Sequence, residues 1–585
     1  MSKLNVDQKT IKDLLTDKSA NFLIPDYQRP YAWEEEECQT LWDDIFSFAF
    51  PDNDKDAFQS SDEYFLGTIV TYKNEKKQSE VIDGQQRLTT FLLLLRAFYD
   101  KFKDMKDKLS QDMRKNISQC IWQTDEFGNA DMKNLKIDSE VATDDEKEEF
   151  LSILKNGITH NKTNSRYAKN YLFFESKIKS FVESYASYLP YLPARILNNC
   201  ILLPIEADSQ DTALRIFSTL NDRGLPLADA DIFKAQFYKY YEKRGTKNEF
   251  IENWKKLSSI TERIFRPKTG TPMDELFTKY MYYIRASEGI KTSTTEALRK
   301  FYEHEKYRRL LSDNTIDDLL VLLDFWESVI DQDVDRFSEE VLNKLFVLKY
   351  APNGMWEYLT SVYFLSNRDE NGMLDNQVFA KFLSKITAFI FAYSLTNPGV
   401  NALRTPVYAE MIKVINKQHC SFSDYKFDEE QILNILNNYK FTNNRMVTRS
   451  LITWYAFTFD GQKRPPTDSS GFDIEHIFAK ERYNRDKPPM DADKLEELGN
   501  KILLEKSINI SASDYRFEDK KKHYVGFTDA KGKKRPGSII LEYQELIEKT
   551  DFTEESIIDR SKRIHDRFIG FLREENLIKN KTDMM

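Results

Sequence analysis

The chain is 585 residues long, beyond what one hydrophobic core covers, so its length predicts three or four domains. Charged residues make up 31% and hydrophobic ones 41%, with a mean hydropathy of -0.60, a composition that supplies packed cores and excludes a disordered chain. A formal charge of -10, from 85 Lys and Arg against 95 Asp and Glu, excludes a protein that coats nucleic acid indiscriminately.

The apolar runs Phe91 to Leu95 and Leu319 to Phe325 are too short to span a bilayer, and the amino terminus has no signal-peptide core, so the expected location is the cytoplasm without membrane contact. Cys38, Cys120, Cys200 and Cys420 lie far apart with no C-x-x-C pair, which argues against a disulfide framework and a cysteine-held zinc.

Strand and helix signals alternate over the first hundred residues. Asn21 to Pro25 is a short apolar run closed by proline, and Trp33 to Phe48 has an acidic first turn with apolar residues at helical spacing. A loop from Pro51 to Asp62 leads to a strand at Tyr64 to Tyr72, a turn at Asn74 to Lys77, and a second strand ending at Asp83. Leu88 to Phe98 then carries helix formers. From about residue 100 to 430 the periodicity is mostly helical, broken by Ile201 to Glu206, a run suited to one more strand of the amino-terminal sheet. After Leu451 to Phe459 comes a polar loop, Asp460 to Ser470, and the last helices are expected over Ser538 to Lys549 and Glu554 to Leu577.

Two stretches carry chemistry. In Asp83-Gly84-Gln85-Gln86-Arg87 a strand hands over to a helix, whose first N-H groups bind anions. Gly84 permits close backbone approach to a phosphate and Arg87 offers a planar fork for two of its oxygens. Asp83 could hold Mg2+, and Gln85 and Gln86 could orient a water or bind nucleotide edges. No G-x-x-x-x-G-K-[ST] occurs in the sequence, which argues against a P-loop ATPase or helicase.

The second stretch is Phe472-Asp473-Ile474-Glu475-His476-Ile477, followed by Asn500 and, nine residues on, Asn509. It reads as a one-metal nuclease site, in which Glu475 and Asn509 each place an oxygen on Mg2+ or Mn2+ and His476 takes a proton from water. Because strand residues two apart share a face, this needs the strand to end near Glu475. Asn500 would brace the loop and hold His476. Asp473 is either an outer group or an alternative ligand, and the residues do not decide. Downstream, Lys520, Lys521, Lys522, Lys531, Lys533, Lys534 and Arg535 form a basic set where a DNA backbone would enter, or simply a solvated loop.

The second stretch resembles the HNH nucleases of the ββα-metal fold, and more closely the nuclease half of the GmrSD-type type IV restriction enzymes. The counterparts are Ile474-Glu475-His476-Ile477, Leu498-Gly499-Asn500, Asn509, Phe517 and Lys520-Lys521; the usual proline soon after the histidine is replaced by Ala479-Lys480. The first stretch, with Ile24-Pro25-Asp26-Tyr27-Gln28-Arg29-Pro30-Tyr31-Ala32-Trp33 before it and Phe217 to Leu227, Asp229, Asp231 and Lys234 after it, resembles the GmrS-type half of the same enzymes.

That resemblance implies a ParB/sulfiredoxin-like α/β domain with NTP binding and hydrolysis, in which Gln28, Arg29 and Asn221 join Asp83 to Arg87. Together with the helical periodicity of the middle it gives a mixed α/β and α fold in three parts: residues 1–240 with a helical insertion at about 100–195, a helical connector at 241–430 read from periodicity alone, and an HNH nuclease domain at 431–585. The expected activity is a nucleotide-regulated, Mg-dependent endonuclease cutting double-stranded, modified phage DNA in antiviral defence. A homodimer is expected because cutting both strands with single-strand sites favours two copies. An NTP-gated DNA-binding switch with an inactive nuclease fold, or an RNA-cleaving toxin of the same fold, are the alternatives.

Overall fold

Short apolar runs separated by turn residues build a sheet in the first half of the chain, and long apolar-faced helices dominate the second. The computed structural model describes residues 5–6, 8–141, 144–158, 164–210, 212–214, 216, 228–399, 401–465 and 471–579, and the chain divides into two compact units, Met1–Lys255 and Lys256–Met585.

In the first unit the strands are β1 (Asn5–Val6), β2 (Lys9–Thr10), β3 (Phe22–Ile24), β4 (Tyr64–Lys73), β5 (Ser79–Asp83), β6 (Trp122–Thr124), β7 (Ala130–Leu135), β8 (Ile137–Ser139) and β9 (Cys200–Ala207). One mixed sheet runs β1-β9-β4-β5-β3-β8, with β2 also on β9. The run at Ile201 to Glu206 therefore enters the sheet, parallel to β4. β4 and β5 form an antiparallel pair and β3 lies parallel to β5, so the end of β5 is held from both sides.

The helix Glu35–Ala49 starts on a capping box made by Glu34 and Glu37. The helix Gln85–Phe102 begins directly after β5. Leu92, Leu93, Leu94 and Leu95 are all buried in it, as expected of a helix apolar on every side.

The stretch near residues 100–195, expected to be helical, also contains β6, β7 and β8, and β8 forms an edge of the main sheet. β6 and β8 have three residues each, and β7 is polar and mostly exposed, so neither length nor alternation marks them in the sequence.

The second unit is mainly helical. Its helix Asn376–Thr396 is long and apolar enough to cross a membrane by length and composition, yet 67% of its most apolar window is buried within the protein. Near the carboxyl end β10 (Phe472–His476) pairs antiparallel with β11 (Lys501–Glu505), and the helix Lys506–Ala512 follows at once. Ile477, Ile502, Leu504, Ile508, Phe517, Tyr524 and Ile557 form the core beneath this pair. The helix expected over Ser538 to Lys549 is reduced to a 3-10 turn at Leu541–Tyr543 and the short helix Gln544–Ile547. Glu505 accounts for the loss, because it accepts hydrogen bonds from the Ser538 hydroxyl and the Ile539 amide, each at 2.7 Å. All four cysteines are free, and Cys38, Cys120 and Cys200 are buried.

Candidate functional site

Strand alternation decides where the carboxyl-terminal residues point. β10 runs through His476, one residue beyond where a shared Glu475–His476 cleft needs it to stop, and Glu475 lies opposite Ile502 while His476 lies opposite Lys501. Directly opposed residues share a face. Glu475 therefore faces the core with Ile502, and His476 faces the other side.

On the core face Glu475 pairs with Lys520, whose ammonium also donates to the His476 carbonyl at 2.7 Å; the Tyr524 hydroxyl donates to Glu475 at 3.5 Å. All three side chains are buried. Burial pushes the Glu475 carboxyl up and the Lys520 ammonium down, and each opposes the shift in the other through its charge. Lys520 is thus turned inward, away from the DNA-facing surface expected for it, because its charge is satisfied inside.

On the opposite face Lys501 donates to His476 Nε2 at 2.8 Å, to Asn443 Oδ1 at 2.8 Å and to Glu496 at 2.9 Å. Asn443 donates to the Ile474 carbonyl at 2.9 Å and lies 3.5 Å from His476 Nδ1, and Lys480 pairs with Glu496. Burial, then the Lys501 charge, lowers the His476 pKa to about 3, and burial lowers Lys501 to about 8. The imidazole is neutral near pH 7, and Nε2 holds the lone pair that faces Lys501. A neutral imidazole can take a proton from water, and Lys501, fully buried on Asn443 and Glu496, keeps a positive charge beside it.

Asn500 is fully buried and ties the loop after the strand. Its Oδ1 accepts from the Phe478 amide at 2.7 Å, and its Nδ2 donates to the carbonyls of Phe478 and Leu495, each at 3.1 Å. Gly499 permits this turn. A β-carbon there would run into the Ile557 carbonyl and into Ser561 in the helix Glu554–Glu574. Arg560 of that helix, fully buried and paired with Glu542, donates to the carbonyls of Gly499 and Lys501 at 2.8 and 2.7 Å.

Asn509 sits half-buried in the helix Lys506–Ala512, and Asp473 lies 3.7 Å from Arg449. Among the described residues no three His, Cys, Asp or Glu side chains gather as metal ligands. As arranged, this donor set does not fit a divalent cation: Glu475 is already neutralised by Lys520, and His476 faces away from it.

Lys521 and Lys522 lie on the helix Phe517–Val525. Lys521 is half-buried and donates to the Lys549 carbonyl, and Lys522 is exposed beside Asp519. Lys531, Lys533, Lys534 and Arg535 are all exposed at the hairpin of β12 (Gly526–Thr528) and β13 (Lys534–Pro536), where Asp529 partly offsets Arg535.

In the first unit the motifs meet through glutamines. Gln28 donates to the carbonyls of Val81 and Ile82 at 3.3 and 3.0 Å, and Gln85 donates to the Arg29 carbonyl at 3.2 Å. Gln86 donates to the Pro30 carbonyl at 3.1 Å and accepts from the Ala32 amide at 2.7 Å. Their amides brace the loop and are not presented to a nucleotide edge. Lys234, buried and lowered to about 8 by that burial, donates to the Gln28 carbonyl at 3.1 Å.

Gly84 caps the helix in the left-handed region, at φ 89°, where a side chain would be strained and would press on Ile69 and the Thr68 carbonyl. Arg87 donates to that same carbonyl at 2.9 Å. Burial raises the Asp83 carboxyl against the pull of the Gly84 amide and Arg87. Arg29 is exposed, and Asn221 lies outside the described residues.

Sequence reasoning missed Lys501, Glu496, Asn443, Tyr524 and Arg560. Only Lys501 leaves a signal, as a lysine opening the apolar strand Ile502 to Leu504 opposite the histidine.

A family model for the N-terminal domain of the GmrSD restriction endonuclease matches residues 11–238, and one for the C-terminal domain of GmrSD restriction endonucleases matches residues 417–567. No curated protein matches the chain. The first match contains the Gln28 and Asp83–Arg87 cluster and the second contains the Glu475–Lys520 and His476–Lys501 clusters.

Proposed function

Because the chain belongs to the GmrSD restriction endonuclease family, and is thereby a type IV restriction endonuclease with DNA as its partner, we propose that it cuts DNA with an HNH-type site centred on His476. The observation that carries this reading is the placement of the His476 imidazole at the end of β10, its Nε2 2.8 Å from Lys501 across the strand pair and beside the Asn500-braced loop. The antiparallel pair followed at once by a helix supports the HNH assignment. In the proposed step water attacks phosphorus and its proton passes to Nε2 of His476 as the Lys501 hydrogen bond to that nitrogen is given up, while Lys501, kept on Asn443 and Glu496, supplies a positive field to the charge growing on the phosphate. The leaving alkoxide takes its proton from solvent. The exposed cations Lys522, Lys533, Lys534 and Arg535 receive the backbone of the strand.

The nucleotide belongs to the first unit. Support comes from the left-handed turn at Gly84, the helix start it opens, and Arg87 and Arg29 near Asp83. The proposed target is modified phage DNA, with NTP hydrolysis controlling cutting. His476→Ala is expected to abolish plasmid cleavage, with and without added Mg2+ or Mn2+, while leaving NTP hydrolysis intact; Arg87→Ala is expected to lower hydrolysis. Full cleavage by the His476 variant would remove His476 from the reaction.

A further inference from the structure

The second unit holds a cavity of about 1100 Å³, ample for a drug-sized ligand, whose lining includes neither Glu475 nor His476. Its walls are aromatic, with Phe265, Trp326, Trp356 and Tyr358 among them. Two carboxylates, Glu275 and Glu357, line it at the fully buried Lys279, whose ammonium is 3.0 and 2.5 Å from them. Burial opposes the charge on Lys279 and the two glutamates outweigh it, so one ammonium faces two carboxylates and the lining there stays net negative. Lys279 also lies over the rings of Phe265, Trp326 and Tyr358, at 4.8 to 5.3 Å from their centroids.

Other lining residues carry the opposite charge. Arg266, Lys268, Lys349 and Arg445 border the same cavity and are exposed. Among the described residues neither Lys268 nor Lys349 has an ion-pair partner. A cationic side chain of a partner protein would suit the carboxylates but would have to pass these cations. The combination suits a ligand that is flat and carries both hydrogen-bond donors and negative charge.

We infer that this cavity binds a single nucleotide whose base bears an exocyclic amino group: the ring between the aromatic walls, the amino group on Glu275 and Glu357, and the phosphate at Lys268 and Lys349. The source is either a free nucleotide or a nucleotide turned out of a DNA strand. The second source rests on the DNA-cutting reading. It draws on continuity, since Arg445, Met446 and Val447 line the cavity at the start of the helix Met446–Ala456, and Arg449 of that helix donates to the Phe472 carbonyl in β10.

The test uses the full-length protein carrying His476→Ala, so that binding is read without cutting. Tryptophan fluorescence is titrated with dAMP, dCMP and dTMP, and separately with a DNA hairpin bearing one unpaired 2-aminopurine, whose own emission reports stacking. dAMP and dCMP are expected to bind about tenfold more tightly than dTMP, which lacks the amino group. Glu275→Gln should narrow that ratio. Lys268→Glu with Lys349→Glu, at exposed positions that leave the core intact, should weaken binding at least about tenfold. Any part of the fluorescence change that Arg87→Ala removes belongs to the first unit, and the part that Lys268→Glu with Lys349→Glu removes belongs to this cavity. Binding of mononucleotides alone assigns a free nucleotide, and binding of the hairpin alone assigns DNA. The inference is overturned if neither binds, if thymine is bound equally, or if the double charge reversal has no effect.

Discussion

Glu475 and Lys520 form an ion pair sealed between β10 and the helix Phe517–Val525, and removing either member leaves the other charged and buried. Lys520→Met should therefore destabilise the protein by about 3–5 kcal/mol. Adding Glu475→Gln to it should recover a large part, because the uncompensated carboxylate is gone. Urea denaturation of the single and double variants measures the coupling, and equal stability of the two would show that the residues do not depend on each other. The motif spacing picked out Glu475, His476, Asn500 and Asn509, but alternation over five strand residues settled which way each points. A run of three lysines reads as a surface in sequence. Only the packing of Tyr524 and Ile502 around the first of them reveals that Lys520 is internal.

At the scale of elements, the turn Leu498–Asn500 is clamped by the helix Glu554–Glu574. Ser561 accepts from the Gly499 amide at 3.0 Å, and Arg560 gathers the turn's carbonyls. Gly499→Ala has to push helix backbone aside, so the expected cost is about 1–3 kcal/mol or more, with loss of cleavage as Asn500 shifts. Chemical denaturation together with a nicking assay checks both, and an unchanged enzyme would show that the turn can relax. The strands around Asp83 and the long last helix were legible because alternation, caps and turn residues agree locally. The clamp was not legible, since Gly499 and Arg560 are joined only through folding and no local pattern marks them. The same is true of the cavity, whose lining extends from Ile264 to Gly471.

Across the whole molecule, acid should act mainly on the second unit. His476 sits at about 3 and His565, buried with Nδ1 3.1 Å from Asn437, at about 4, both lowered first by burial. The folded chain thus refuses protons that an unfolded chain accepts below about pH 6.5. The stability they contribute is full above that pH and is lost as pH falls towards 4 and then 3. For His565 the loss is on the order of 2–3 kcal/mol. Thermal unfolding between pH 7.5 and 4 should show it, and His565→Gln should flatten the curve; an identical curve for the variant would assign the acid response elsewhere. The glutamine clasp in the first unit answers to different conditions. Gln28, Gln85 and Gln86 hold their loop with uncharged amides, which neither titrate nor feel the Debye screening that weakens half-exposed pairs such as Lys480 with Glu496. Rising ionic strength therefore loosens the surroundings of His476 while the Arg29 loop keeps its shape, so brine would distinguish the two motif clusters of this chain without any mutation.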